Sequence, residues 1–328
     1  VLQLFRANSP YTVIILFILT LLLKLQALHH PAAPAAVDGQ VIYAWVLHGF
    51  QAVLGTGATT YTILALLMTF GQAIYLRGVS IRHRLFSRPS YLPAFAFVLL
   101  SSLHPVLGSF SPPLLANWLI IGALDTVLGF TSREEERRRI FNAGFLLGLA
   151  AALVFPDIVY AIFLVLTLIL LRPFRPGEWV VAALGYLTPF YFAAGLLFLI
   201  DKLGLAKVWP GTGLNFPHLV RGYYYPWILI AGLAPLLIAG IYVLVGNLAR
   251  LPVATRRGWG AVICALITGI TAALIAPARL PAAWAGVLPA LSLLVIPPLA
   301  TEKRSRFATF AFYFLILLII CCQLTVRI

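Results

Sequence analysis

Long apolar runs follow one another along the chain, and short turns between them carry most of the charge. A bilayer-crossing helix needs about 20 apolar residues. Eleven stretches approach that length: 10–28, 58–76, 91–108, 113–130, 140–156, 158–171, 179–200, 227–248, 260–278, 283–300 and 307–325. The pattern predicts an all-α, polytopic transmembrane helix bundle with about eleven spans and one integral membrane domain over residues 1–328. The sixth stretch is short, and Pro156-Asp157 before it leaves room only for a turn. The first run, Tyr11 to Leu28, is long enough to span, and no small-x-small cleavage site follows it cleanly. It therefore reads as a retained first helix.

The polar positions between the runs set an orientation. With the N-terminus cytoplasmic, seventeen of the twenty-three basic residues fall on the inner side. They sit near Arg6, in 77–88, 133–139, 172–175 and 250–257, and in 303–306. Lys24, Lys202, Lys207, Arg221, Arg279 and Arg327 fall outside. The positive-inside rule selects this threading. Two outer segments are more than turns. Residues 29–57 begin with a Pro/Ala-rich connector and continue into Val41–Leu54, which predicts an interfacial helix with Tyr43 and Trp45 at headgroup level. Residues 201–226 form a long loop rich in aromatics, glycine and proline, the kind of segment that carries function on a multi-pass scaffold.

Composition agrees with lipid as the solvent. The 328 residues are 62% hydrophobic and 10% charged, against about 25% charged in soluble domains. A net charge of +14 would point to nucleic acid in a soluble chain. Here the arginines lie in loops between spans, so no nucleic-acid partner is expected. Cys264, Cys321 and Cys322 all sit in apolar runs, which rules out a disulfide framework or zinc ribbon. His29, His30, Asp38 and His48 lack ligand spacing, since adjacent histidines rarely share one ion and no helical H-x-x-x-H pair exists. No metal and no cofactor are expected.

The densest charge lies in LGFTSREEERRRIFNAGF, Leu128 to Phe145. Ser132 and Glu135 fit a capping box, and three glutamates suit the positive end of a helix. Glu134 and Glu135 precede Arg138 and Arg139 by four residues, the favourable order for helical ion pairs. Gly144 and Gly148 form a small-x-x-x-small pair that lets another helix approach. The cluster predicts a capped helix start on the inner face rather than a catalytic group.

From this point the chain resembles a family of bacterial multi-pass membrane proteins of unknown function, typical of the Bacteroidetes. The resemblance rests on Phe141, Asn142, Gly144, Phe145 and Gly148, on Pro156, on Gly185, Thr188 and Pro189, and on the opening LFRANSP. It covers the first span and 117–201 best. It implies an inner-membrane, envelope-related protein and assigns no catalytic residue.

Candidate chemistry is sparse. Asp38 stands alone in the first outer loop, ahead of the interfacial helix. That layout resembles polytopic glycosyltransferases using lipid-linked sugars, in which such a carboxylate serves as base. Lys202, Lys207, His218 and Arg221 would then bind the lipid phosphate, and Tyr223, Tyr224 and Tyr225 would offer stacking surface. A fuller acidic signature is missing, and Asp before Gly also reads as a turn. Asp125, near the inner end of the fourth span, reads either as a relay carboxylate or as a side chain snorkelling toward a basic loop. Asp157 reads as a helix cap, and Glu178 with Trp179 as an interfacial anchor. The GTG sequences at 55–57 and 211–213 do not continue as phosphate loops. Pro189, Pro235, Pro289 and Pro297-Pro298 interrupt spans without a convincing repeat.

Three classes remain, and whether the protein is an enzyme stays open. The leading one is a non-enzymatic inner-membrane component of envelope biogenesis or a secretion-related complex, its partners being membrane lipids and other inner-membrane proteins. The second is a glycosyltransferase acting on a polyprenyl-phosphate sugar, with Asp38 as base. The third is an ion- or proton-coupled carrier.

Overall fold

The computed structural model describes residues 2–6, 9–31, 33–34, 40–131, 136–199, 201, 225–277, 281–300 and 305–325. Regular structure in these residues is helical. The chain opens with α1 (Leu2–Arg6), α2 (Tyr11–Leu23) and α3 (Leu25–His29). The helix after the first outer connector is α4 (Val41–Leu54), followed by α5 (Ala58–Arg82), α6 (Leu92–Ser101) and α7 (Pro112–Leu128). Next come α8 (Glu136–Leu153), α9 (Tyr160–Leu171) and α10 (Pro176–Leu199). The remainder is α11 (Tyr225–Leu248), α12 (Val253–Ile275), α13 (Leu288–Val295), α14 (Pro297–Ala300) and α15 (Ser305–Thr325). Five segments are long and apolar enough to cross a bilayer: Ala58–Arg82, Pro176–Leu199, Ala231–Leu248, Val253–Ile275 and Ala282–Ala300. This is the make-up of a multi-pass membrane protein.

The expected eleven spans each meet helix, yet several are broken or too short. At 1.5 Å per residue, the ten residues of α6 rise only about 15 Å and the eight of α13 about 12 Å, against a core of about 30 Å. Each is joined to a 3-10 segment, Pro105–Gly108 after α6 and Pro281–Val287 before α13. Proline explains both breaks, because it removes an amide donor and disfavours helix in the residue before it.

The ends assigned to the inner side meet at one end of the bundle. The Arg6 guanidinium donates to the Leu299 carbonyl, with Nε at 2.9 Å, and the Tyr91 amide donates to Phe5 at 2.8 Å. Arg77 lies over the Tyr91 ring at 3.7 Å, and Trp259 Nε1 donates to Leu85 at 3.2 Å. Arg172 Nη1 reaches Phe130 at 3.0 Å. We call this end the basic face.

Helices α8 and α10 pack at backbone distance. A Cβ on Gly144 would lie 2.6 Å from the Ala182 carbonyl oxygen; one on Gly148 would overlap the Tyr186 carbonyl, and one on Gly185 the Phe141 carbonyl. Hydrocarbon supplies no hydrophobic drive between helices, so such backbone-level packing is what holds a pair together in lipid. The small-residue pair read in α8 thus has a reciprocal glycine on α10. At the centre of the bundle lie α6 and the Ala282–Ala300 segment. Every residue of α6 is buried, and the central segment is 94% buried, against 22% for Ala231–Leu248 at the periphery.

Candidate functional site

The two broken segments run side by side in opposite directions. Helix α6 leaves the basic face beside Phe5, and α14 returns to it at Leu299. Their 3-10 portions, Pro105–Gly108 and Pro281–Val287, therefore meet away from that face; the second is mostly buried, whereas every residue of the first is half-buried. Non-helical backbone at membrane depth must find partners within the protein, because lipid offers none. Here side chains from neighbouring helices supply them. Asn117 Nδ2 on α7 donates to the Ala285 carbonyl at 2.9 Å. The Tyr160 hydroxyl on α9 donates to Gly286 at 3.1 Å. A third side-chain-to-backbone bond, from the Tyr186 hydroxyl to Ile158 at 3.0 Å, secures the 3-10 turn between α8 and α9.

Lys24 and Asp157, each 6% exposed, are enclosed in the same bundle. The Lys24 ammonium donates to Thr69 Oγ1 at 3.3 Å, and that hydroxyl donates to Ala65 at 2.7 Å. The ammonium occupies the space a side chain at Gly108 would fill; a Cβ there would also lie 3.5 Å from the Ser101 carbonyl oxygen, at the end of α6. A cation at a helix C-terminus is favoured by the helix dipole. One turn along α5 from Thr69, Gln72 Nε2 donates to Leu114 at 2.6 Å. Gln72 Oε1 and Asn117 Oδ1 are buried and have no hydrogen-bond partner among the described residues.

Gly108 is thus tied to Lys24 by space. Gly108→Val is expected to lower stability by about 2 kcal/mol through overpacking. Lys24→Ala should relieve part of that loss by vacating the space. Thermal melts of the two single variants and the double variant check this; strictly additive losses would show that the two positions are not coupled.

Asp125 lies elsewhere, at the basic face. It forms an ion pair with Arg82, and His83 Nε2 approaches its other oxygen at 2.7 Å. The Tyr75 hydroxyl completes the shell at 3.4 Å. The turn ending α5 sets this up. Arg84 adopts φ 49°, while Leu85 N–H bonds Ser80 and Arg84 N–H bonds Ile81, the two bonds of a Schellman closure. That closure leaves His83 on the side of α7. Asp125 therefore reaches cations at the end of α5, on the basic loop that follows it. His83 was not singled out from the sequence, since nothing in the chain couples position 83 to 125.

Glu178 and Glu136 also find partners across the fold. Both pair with Arg172, Glu178 at 2.9 Å, and Arg175 approaches Glu178 at 3.5 Å and Glu136 at 3.6 Å. Hydrogen bonds from Arg172 to Glu136 and then Glu178 hold the guanidinium well above its usual proton affinity. Glu178, read with Trp179 as an interfacial anchor, is 5% exposed. Asp157, read as an outer cap, sits buried in the 3-10 turn Phe155–Val159. Asp38, Lys202, Lys207, His218 and Arg221 lie outside the described residues, as do Ser132, Glu134 and Glu135. Among the described residues no group of three or more His, Cys, Asp or Glu side chains could hold a metal ion.

Comparisons with family models, with curated proteins and with solved structures give no match for this chain.

Proposed function

We propose that the protein is a membrane carrier whose ligand binds where the two broken segments meet. The observation that carries this reading is the antiparallel pairing of α6 and Pro105–Gly108 with Pro281–Val287 and α13. Discontinuous helices of this kind build the substrate sites of many secondary transporters, because half-helix ends present backbone groups and dipoles to a ligand. The enclosed Lys24 and Asp157 add support, since intramembrane ionisable groups are costly and mark ligand or proton paths. Lys24, with the Gln72 and Asn117 acceptors, favours a small polar ligand that has both an anionic group and a hydrogen-bond donor. Asp125, held in a local ion pair at the basic face, takes no part in this reading.

Alternating access makes a specific demand on two buried serines, Ser101 at the end of α6 and Ser292 in α13, which are 2% and 0% exposed. The test places single cysteines at these positions after replacing Cys264, Cys321 and Cys322. Membrane-impermeant thiol reagents are then applied from either side of reconstituted vesicles. A carrier is expected to expose each position to solvent within minutes as it cycles. If both cysteines stay unreacted for hours in folded protein, the carrier reading is wrong and a static scaffold is left.

A further inference from the structure

The second feature is an open cleft of about 310 Å³ at the basic face, between the ends of α5, α7 and α8. Arg82 and His83 line it from α5, Asp125 from α7, and Arg138, Arg139 and Asn142 from α8. Three arginines and a histidine thus surround a single carboxylate among the described residues. Asp125 takes one arginine and the histidine as partners, while Arg139 gives one N–H to the Gly129 carbonyl at 3.1 Å. A guanidinium has five N–H donors, so this bond leaves most of the donors of Arg139 for other acceptors. The next residue of α8, Ile140, is 1% exposed. The cleft therefore opens where the apolar bundle ends, at the level expected for lipid phosphates.

We propose that this cleft binds a phosphate-bearing anion, either the head group of an anionic lipid or free phosphate. Basic pockets between transmembrane helices on the positively charged side recognise head groups in this way. Arginine suits the task because its planar fork matches phosphate oxygens two at a time. Asp125 acts as a positioning residue, since it fixes Arg82 and His83 along one wall. The inference is independent of the carrier reading.

The test compares full-length wild-type protein with Arg138→Gln/Arg139→Gln. One arm measures retention of phosphatidylglycerol against phosphatidylcholine by native mass spectrometry. The other measures the thermal shift given by inorganic phosphate against chloride at equal ionic strength. The wild type should prefer phosphatidylglycerol, or be stabilised by phosphate; the first outcome identifies a lipid source and the second a free anion. Either affinity should fall about 30-fold in the double variant, about fivefold per arginine. Arg138→Lys/Arg139→Lys keeps the charge and the fold while losing the fork, and should show an intermediate loss. Arg250→Gln/Arg256→Gln removes equal charge outside the cleft and should change neither arm. The proposal is overturned if the wild type shows neither preference, or if the control pair weakens binding as much as the cleft pair.

Discussion

Replacing Gly148 by valine is expected to remove most of the folded protein. A Cβ at this position already overlaps the Tyr186 carbonyl oxygen, and the obstacle is backbone, which cannot rotate away. Gly144 and Gly185 are closed in the same way by the Ala182 and Phe141 carbonyls. Three glycines thus allow α8 and α10 to touch at backbone distance over two turns. Forcing them apart would also pull Tyr186 from its bond to Ile158 and release the turn holding Asp157. Overpacking alone costs about 1–3 kcal/mol, and the lost contact area and hydrogen bond raise the total to about 4 kcal/mol or more. Gly195, on α10, has open space where its Cβ would go. Gly195→Ala should therefore be neutral, or stabilising by up to about 1 kcal/mol. Monodisperse yield and thermal midpoint in mild detergent check both. A Gly148→Val protein that melts with the wild type would show that the α8–α10 contact does not exist as described.

That contact was largely legible in the sequence, because small residues four apart in an apolar run have one main use in lipid. The partner helix was not, since nothing local selects α10 over its neighbours. Element type was legible for the same reason: a run of apolar residues in lipid has few alternatives to helix. Span length was not. Hydropathy averages over 91–108 and sees one span, although the helix ends at Ser101 and resumes as a 3-10 turn at Pro105. The prolines at 289 and 297-298 announced interruptions near α13, but their significance depends on α6 lying beside them.

The ionic partners show the same division. Asp125 was visible as an intramembrane carboxylate close to a basic face. Its pairing with His83 depends on the left-handed turn at Arg84, a conformation that an arginine does not advertise. Lys24 interrupts an apolar run and was open to notice as a buried cation, yet its distance from the inner side made an outer loop look sufficient. Only the packing of Gly108 and Thr69 around it shows the enclosure.

Replacing Arg172 by methionine should be the most damaging single change at the basic face. Its guanidinium joins three separate parts of the chain: Glu136 at the start of α8, Glu178 in the first turn of α10, and the Phe130 carbonyl after α7. The side chain of Arg172 is 10% exposed, and those of Glu178 and Glu136 are 7% and 23%. Removing the cation would leave two carboxylates together, one of them buried, along with a carbonyl that has lost a donor. Breaking a buried pair from one side costs about 3–5 kcal/mol. The lower end applies here, because Arg175 stays near both acids and water reaches Glu136. The loss should come mainly from the stranded charges rather than from the missing attraction, and a combined variant separates the two. Arg172→Met with Glu136→Gln and Glu178→Gln removes the repulsion and should regain at least half of the lost stability, since a matched neutral replacement of an ion cluster is often close to neutral. Thermal melts of the single, double and triple variants give the coupling directly. A triple variant no more stable than Arg172→Met would mean that the carboxylates are not held together by this arginine, and that its contribution lies in the bond to Phe130 alone.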